Sequence, residues 1–283
     1  MESWREKLVC PEHRTPLQQR PDGYWCTGCS RVFPERNGAI RFFSASPETA
    51  RSLASPTGQS MVRAYRKPSR LLTAARRIIS SEYFPGRAWR RAKREVLAGA
   101  EPILIIGSGV TRYPNAVHLD LDDFPGVQVI GDAHRLPFAD GSFGGIVCEV
   151  VLEHVTQSDQ IIAETFRVLR KGGRFFFTVP FLFPYHGHPD DYRRWTRQGL
   201  AREFEAADAV EVGIHGGPCS ALVNILSEWV YLMTGRVFPA GYTFWKGLAT
   251  ALLFPIKFLD LWVNRFPEAH RLAATFYITG RKP

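Results

Sequence analysis

No uninterrupted apolar run in this 283-residue chain reaches the roughly 18 residues of a membrane span. The opening stretch, "MESWREKLVCPEH", has no apolar core of the kind that marks a secretory signal. Five cysteines are too few for a disulfide framework in a chain this long. These absences lead to an expectation of a cytoplasmic protein. Acidic residues are almost missing from one segment: between Met61 and Arg94 eleven Lys/Arg face a single acid, Glu82. The net charge of +9 is therefore local, and the rest of the chain is close to neutral. Such a segment suits an anionic partner, nucleic acid or phospholipid, or else is a solvated helical face.

Three of the five cysteines lie within the first thirty residues. Cys10 and His13 form a C-x2-H pair, and Cys26 and Cys29 a C-x2-C pair. Two such knuckles can direct four ligands at one structural zinc ion. The "PDG" turn between them predicts short strands, and a module of this size gains from a metal because its own core is small. Residues 1–43 are thus expected to form a zinc ribbon. The "CP" knuckle, "CxxC", "VFP" and "NGAIRF" resemble the small zinc-ribbon proteins that activate tRNA methyltransferases, in which all four ligands are commonly cysteine. His13 departs from that pattern. The ribbon's role, binding RNA, binding a protein or packing on its neighbour, stays open.

Residues 44–60, rich in Ser, Pro and Thr, read as a linker to a main domain over 61–283. That domain opens with basic helices over 61–98. Arg87, Arg90, Arg91 and Arg94 share one helical face, with Trp89, Ala92 and Val96 opposite. From residue 102 continuous apolar strands alternate with helical segments: "PILIIG", "AVHLDL", "VQVIGD", "GGIVCEV", then the helix "SDQIIAETFRVLRKGG" and the strand "RFFFTVP". This pattern implies a parallel sheet covered on both faces, with ligands beyond the carboxyl ends of its strands. Gly107 and Gly109 follow the first strand, Asp120 ends the second, and Asp132 follows the third. A carboxylate after strand two can accept both hydroxyls of a ribose. Only ten residues separate Gly109 from Asp120, too few for the usual crossover helix.

"IIGSGV", "HLDLD", "GDAHRLPFADGSFGGIVCEVVLEHV" and "ETFRVLRKGGRFFFTVP" resemble class I S-adenosylmethionine-dependent methyltransferases of the type-11 group. The resemblance covers about residues 100–215 and resumes at the C-terminus. It implies an α/β, Rossmann-like, seven-stranded sheet. It also implies that Gly107 and Gly109 approach the amino-acid part of the cofactor, Asp120 the ribose, Asp132 with Ala133 the adenine, and Glu149 the methyl-donor side. Where the family often has "SFD", Gly144 replaces the acid.

The densest titratable cluster, "PFLFPYHGHPDDYRRWT", follows strand five. A hydroxyl or protonated-amine acceptor needs a base. His186 is the first candidate, followed by His188 and Asp191; the alternative is a loop braced by His188, Asp190 and Arg193. No Asn-Pro-Pro-aromatic segment follows strand four, which argues against methylation of a base's exocyclic amine. Cys148 reads as a core residue.

Between "AVEVGIHGG" and the last strand, "AATFYITGRKP", an apolar helical insertion occupies about 218–270. Lys246, Thr250, Lys257, Asp260 and Asn264 form its narrow polar stripe, and Pro255 bends it or starts a new helix. It is expected to cap the crevice, to lie in the plane of a membrane at the inner face, or to dimerise. The expected function is methyl transfer to an O or N atom of a small, glycan-like or lipid-linked acceptor. RNA methylation and a non-catalytic scaffold remain alternatives.

Overall fold

The computed structural model describes residues 4–42, 84–99, 102–187, 190–237 and 242–283. The linker at 44–60, the basic stretch 61–83 and His188 lie outside the described residues. Among the described residues the strands form one sheet of eleven. Four come from the N-terminal module: β1 (Gln18–Arg20), β2 (Gly23–Trp25), β3 (Val32–Arg36) and β4 (Ala39–Arg41). Seven form the main domain: β5 (Ile103–Ile106), β6 (Ala116–Asp120), β7 (Val129–Ile130), β8 (Phe143–Glu149), β9 (Leu169–Pro180), β10 (Asp208–Gly216) and β11 (Thr275–Arg281). Their spatial order is β1-β2-β3-β4-β7-β6-β5-β8-β9-β11-β10.

The expected seven-stranded sheet is therefore a correction in its count. The N-terminal module extends the sheet to eleven strands, because β4 pairs in parallel with β7. Ile40 N–H donates to Gln128 O at 2.9 Å, and Phe42 N–H to Ile130 O at 2.8 Å. A second seam joins Val9 N–H to Pro137 O and Ala139 N–H to Lys7 O. Trp4, Leu8, Tyr24, Phe33 and Phe42 share one apolar core with Leu104, Phe138 and Phe143. Arg14 also reaches across to Glu164 at 2.8 Å. The ribbon packs on its own chain.

Strands β5, β6, β7, β8 and β9 are mutually parallel, while β11 runs antiparallel between β9 and β10. The Ile and Leu side chains of β5 and the residues of β8 up to Cys148 are buried, as a sheet covered on both faces requires. Helix α1 (Ala88–Leu97) lays Ala92 and Val96 on one face of the sheet and leaves Arg87, Arg91 and Arg94 exposed. Helix α2 (Ser158–Val168) buries Ile161, Ile162, Thr165 and Val168. It is shorter than expected, since the chain turns extended at Leu169 and "LRKGG" joins β9. Helix α3 (Arg197–Glu203) starts at Thr196, whose hydroxyl accepts from Gly199 N–H.

The insertion comprises α4 (Pro218–Val237), α5 (Tyr242–Leu253), a tight 3-10 stretch at Phe254–Leu259 and α6 (Asp260–Val263). Part of its polar stripe turns inward. Lys257 and Asp260 are buried, and the Asp260 carboxylate accepts from the backbone of Cys219 and Ser220 and from the Ser220 hydroxyl at 2.6–3.0 Å. These bonds satisfy orphan donors at the start of α4. Apolar side chains instead face outward: Leu222, Ile225, Trp229, Leu232 and Met233 on α4, Leu252 on α5, and Leu259, Leu261, Trp262 and Phe266 beyond. Among the described residues no helix is long and apolar enough to cross a membrane.

Candidate active site

Parallel pairing sets the carboxyl ends of β7, β6, β5 and β8 side by side, and the residues singled out by sequence fall there in order. Residues 107–115, all described, connect β5 to β6 without a helix, as their number requires. Gly107 and Gly109 both adopt positive φ, +64° and +50°. A side chain at Gly107 would strike Val151, whereas nothing lies within 4 Å of the position a Cβ would take at Gly109. Gly109 therefore borders open space at the strand ends. Its N–H donates to Asp120 Oδ2 at 2.7 Å, and Asp122 N–H donates to Oδ1 at 3.0 Å. Burial pushes the Asp120 carboxyl up to about 6, against the opposing effect of those two donors.

Arg112 fastens the short crossover from below, donating to Gly109 O, Thr111 O and Pro125 O. That brace replaces the missing helix and was not foreseen from sequence. Asp132 caps the 3-10 turn Ala133–Arg135: its Oδ1 accepts from His134 N–H and lies 2.7 Å from the His134 ring. Burial would raise the Asp132 carboxyl, but these His134 contacts hold it below the usual carboxylate range. Ala133 is buried behind it.

Glu149 ends β8 in an ion pair with Lys93 at 3.0 Å, beside the Tyr113 hydroxyl. Burial alone would lower the Lys93 ammonium, yet Glu149 and Tyr113 raise it. Lys93 thus carries α1 into the crevice, a role hidden in sequence by the arginines around it. Val150 follows at φ +56°, an unusual conformation for a β-branched residue, and is partly exposed. Cys148 is buried in the core, as expected.

The strand-five loop closes the other side. His186 is brought to this crevice; its Nε2 lies 3.5 Å from Glu153 Oε1 and its Nδ1 3.5 Å from Asp191 Oδ2. Burial would lower the His186 ring, but the two carboxylates raise it. Asp191 is held by a two-armed ion pair with Arg194 and accepts from His186 N–H at 3.0 Å. It positions His186 rather than facing open space, its side chain being 1% exposed. The loop brace is Arg194–Asp191, with Arg193 donating to Ser158 Oγ and Thr156 O. Glu153 and His154, in the 3-10 turn Leu152–His154, complete the cluster and were missed. "LEH" directly after strand four was the available signal.

In the ribbon Cys10, His13, Cys26 and Cys29 converge, every pair of ligand atoms within 4.8 Å. Cys10 Sγ is 3.6 Å from His13 Nδ1 and 3.9 Å from Cys29 Sγ. Tetrahedral zinc with bonds of about 2.0–2.3 Å needs ligand separations of about 3.3–3.8 Å, so the set fits. The two knuckles share one geometry. Arg14 N–H returns to Cys10 O and Ser30 N–H to Cys26 O, both turning at φ +57°. Burial would raise the Cys26 thiol, but the Thr15 hydroxyl and Cys29 donors bring it down to about 6.

Residues 108–177 match the family model described as a methyltransferase domain. A demethylmenaquinone methyltransferase of Beutenbergia cavernae is 35% identical over 97 residues, 32% of this chain and 40% of that protein. The mitochondrial 2-methoxy-6-polyprenyl-1,4-benzoquinol methylase of Danio rerio is 27% identical over 134 residues, 47% of this chain and 36% of that protein. The solved structure of a Haemonchus contortus phosphoethanolamine N-methyltransferase with S-adenosylhomocysteine superposes with a TM-score of 0.48 at 14% identity, covering 85% of this chain and 60% of that one. The chain spans less than half the length of the curated relatives it matches.

Proposed function

We propose that this chain is an S-adenosylmethionine-dependent methyltransferase whose acceptor is lipid-linked and reached at a membrane surface. The observation that carries the cofactor is the row of neighbouring strand ends bearing Gly107 and Gly109, Asp120, Asp132 and Glu149. The methyltransferase-domain match over 108–177 supports it. Gly107 and Gly109 would approach the amino-acid part of the cofactor, Asp120 its ribose, Asp132 with Ala133 its adenine, and Glu149 the methyl-donor side. The absent crossover helix is no obstacle, because this cofactor has no pyrophosphate for a helix N-terminus to hold.

When bound, the cofactor supplies an electrophilic methyl group on a sulfonium. The chain's part is positioning: an acceptor atom aligned with the methyl carbon and shielded from water. Its proton leaves on the side of Glu153, His154 and His186, where Asp191 and Arg194 fix the loop. In the ribbon, Cys10, His13, Cys26 and Cys29 would hold a zinc ion with no open position, a structural metal.

The outward apolar face of the insertion favours a lipid-linked over a glycan acceptor. Trp229, Leu232, Leu252 and Trp262 are each more than half exposed. An isolated apolar side chain is common on protein surfaces, but so many on one insertion favour an interaction site. Ala221 of α4 packs with Phe84 against Leu182 and Phe183 of the acceptor loop, which links that face to the crevice. The benzoquinol and menaquinone in the relatives' names agree with an acceptor of this class. On this reading the protein would work peripherally, at the inner membrane face.

Calorimetric titration with S-adenosylmethionine tests the cofactor, with Asp120→Ala as control. Micromolar binding lost in the variant supports the reading; no binding by the wild type favours a scaffold. Transfer of labelled methyl to lipid, glycan and RNA fractions then tests the acceptor. Flotation with anionic vesicles, abolished by Trp229→Ser with Trp262→Ser, agrees with a lipid surface. Label confined to RNA, with binding that weakens steeply in salt, would replace it.

A further inference from the structure

We propose that Glu153, His154 and His186 bind a divalent transition-metal ion of borderline softness, such as zinc, on the acceptor side of the crevice. The inference rests on the methyltransferase reading only for what the metal does, not for its binding. The first observation is a buried carboxyl group without a hydrogen bond. The Glu153 side chain is 0% exposed, and neither carboxylate oxygen has a hydrogen-bond partner among the described residues. Both ring nitrogens of His186 are buried and equally unpartnered there. A group of that kind is costly to keep unless something neutralises it.

The second observation is geometry. His186 Nε2 is 3.5 Å and His154 Nε2 3.9 Å from the same oxygen, Glu153 Oε1. Those distances are too long for good hydrogen bonds. They exceed by about 0.2 and 0.6 Å the roughly 3.3 Å separating ligands that share a tetrahedral ion with bonds of about 2.0–2.1 Å.

The third observation is the outer shell. His154 Nδ1 lies 2.6 Å from the Asp190 carbonyl oxygen, an acceptor only, so this nitrogen carries a proton and the neutral ring has its lone pair on Nε2. His186 Nδ1 faces Asp191, itself fixed by Arg194. A carbonyl or carboxylate behind each histidine is the arrangement that orients metal-ligating imidazoles. Two histidines and one carboxylate leave a coordination position open, as in catalytic sites and unlike the closed ribbon set. The side chains of His154 and His186 are 17% and 30% exposed.

Within the proposed reaction that position takes the acceptor's hydroxyl. Coordination makes the hydroxyl more acidic, and its proton passes to water. The oxygen lone pair then forms the O–CH3 bond as the C–S bond breaks, its electron pair remaining on sulfur.

The test uses the full chain, stripped of metal and reconstituted with zinc, then assayed by mass spectrometry. The wild type is expected to hold about two equivalents, and Glu153→Gln and His186→Asn about one each. Cys26→Ser should lose the other. Cobalt substitution separates the sites, because only the ribbon gives thiolate charge-transfer absorption. A wild type holding one equivalent, all of it lost in Cys26→Ser, overturns the proposal. Should Glu153→Gln fail to fold, His186→Asn decides alone. Cofactor calorimetry runs in parallel: a second equivalent without cofactor binding refutes the methyltransferase reading and leaves the metal site standing.

Discussion

Replacing Gly107 by alanine would put a methyl group 2.3 Å from Val151 Cγ2, on a backbone held at φ +64°. The left-handed conformation costs a residue with a Cβ about 1–2 kcal/mol. Overpacking against Val151 adds about 1–3 kcal/mol. The expected loss is therefore about 2–5 kcal/mol, a large share of a domain's typical stability of about 5–15 kcal/mol. Gly109 provides the internal comparison. Its φ of +50° carries the same conformational cost, but a Cβ there meets nothing within 4 Å. Gly109→Ala should lose only about 1–2 kcal/mol and instead weaken cofactor binding, because its methyl fills the open floor of the crevice. Urea unfolding at 25 °C gives the stabilities, and calorimetry gives the cofactor affinities. The Val151→Ala background isolates the contact: there Gly107→Ala should recover about 1–3 kcal/mol of its penalty. Equal destabilisation by the two glycine replacements, unchanged by Val151→Ala, would refute the reasoning.

Cofactor affinity should rise as pH climbs through about 6, where the Asp120 carboxyl ionises, and then level off; calorimetry from pH 5 to 8 checks this, and Asp120→Asn should flatten the profile. The folding term runs the other way. The folded chain holds the Asp120 proton more tightly than the unfolded chain does, so the residue's contribution to stability is greatest at low pH and is lost as pH rises through about 6. Cys26→Ser should release the ribbon zinc and abolish hydrogen-exchange protection at Val9 and Ile40, whose N–H groups bond to the main domain, while β5 and β8 keep theirs. Asp260→Ala removes the acceptor of two backbone N–H groups and a hydroxyl in a buried place. It should cost about 2–4 kcal/mol in thermal or urea unfolding.

Strand ends were legible in the sequence because each is announced locally, by a buried apolar run and then a glycine or an acid. The shortened crossover was legible too, since residue count alone forbids a helix. What holds it in place was not: Arg112 bonds to Pro125, a neighbour only in the folded chain. The polar stripe of the insertion was visible as a pattern, but periodicity cannot tell which face meets the protein. Here Asp260 is drawn inward by the unsatisfied N–H groups at the start of α4, and the apolar face is left outside. Glu153 and His154 were not legible as site residues because they follow strand four, while His186 lies in the titratable segment after strand five. His186 gained its neighbours through β8–β9 pairing.

The join between β4 and β7 has a bearing on how this protein behaves in solution. Without the ribbon, β7 and its flanking chain would present unpaired backbone groups at the margin of a large parallel sheet, a template for cross-chain pairing. With the ribbon docked, the margin moves out to β1, "QQR", three exposed polar residues with Arg20 stacked on Trp25. A short charged border of this kind discourages self-association. Metal loss should therefore be visible first as turbidity and light scattering on standing, at temperatures where the main domain is still folded.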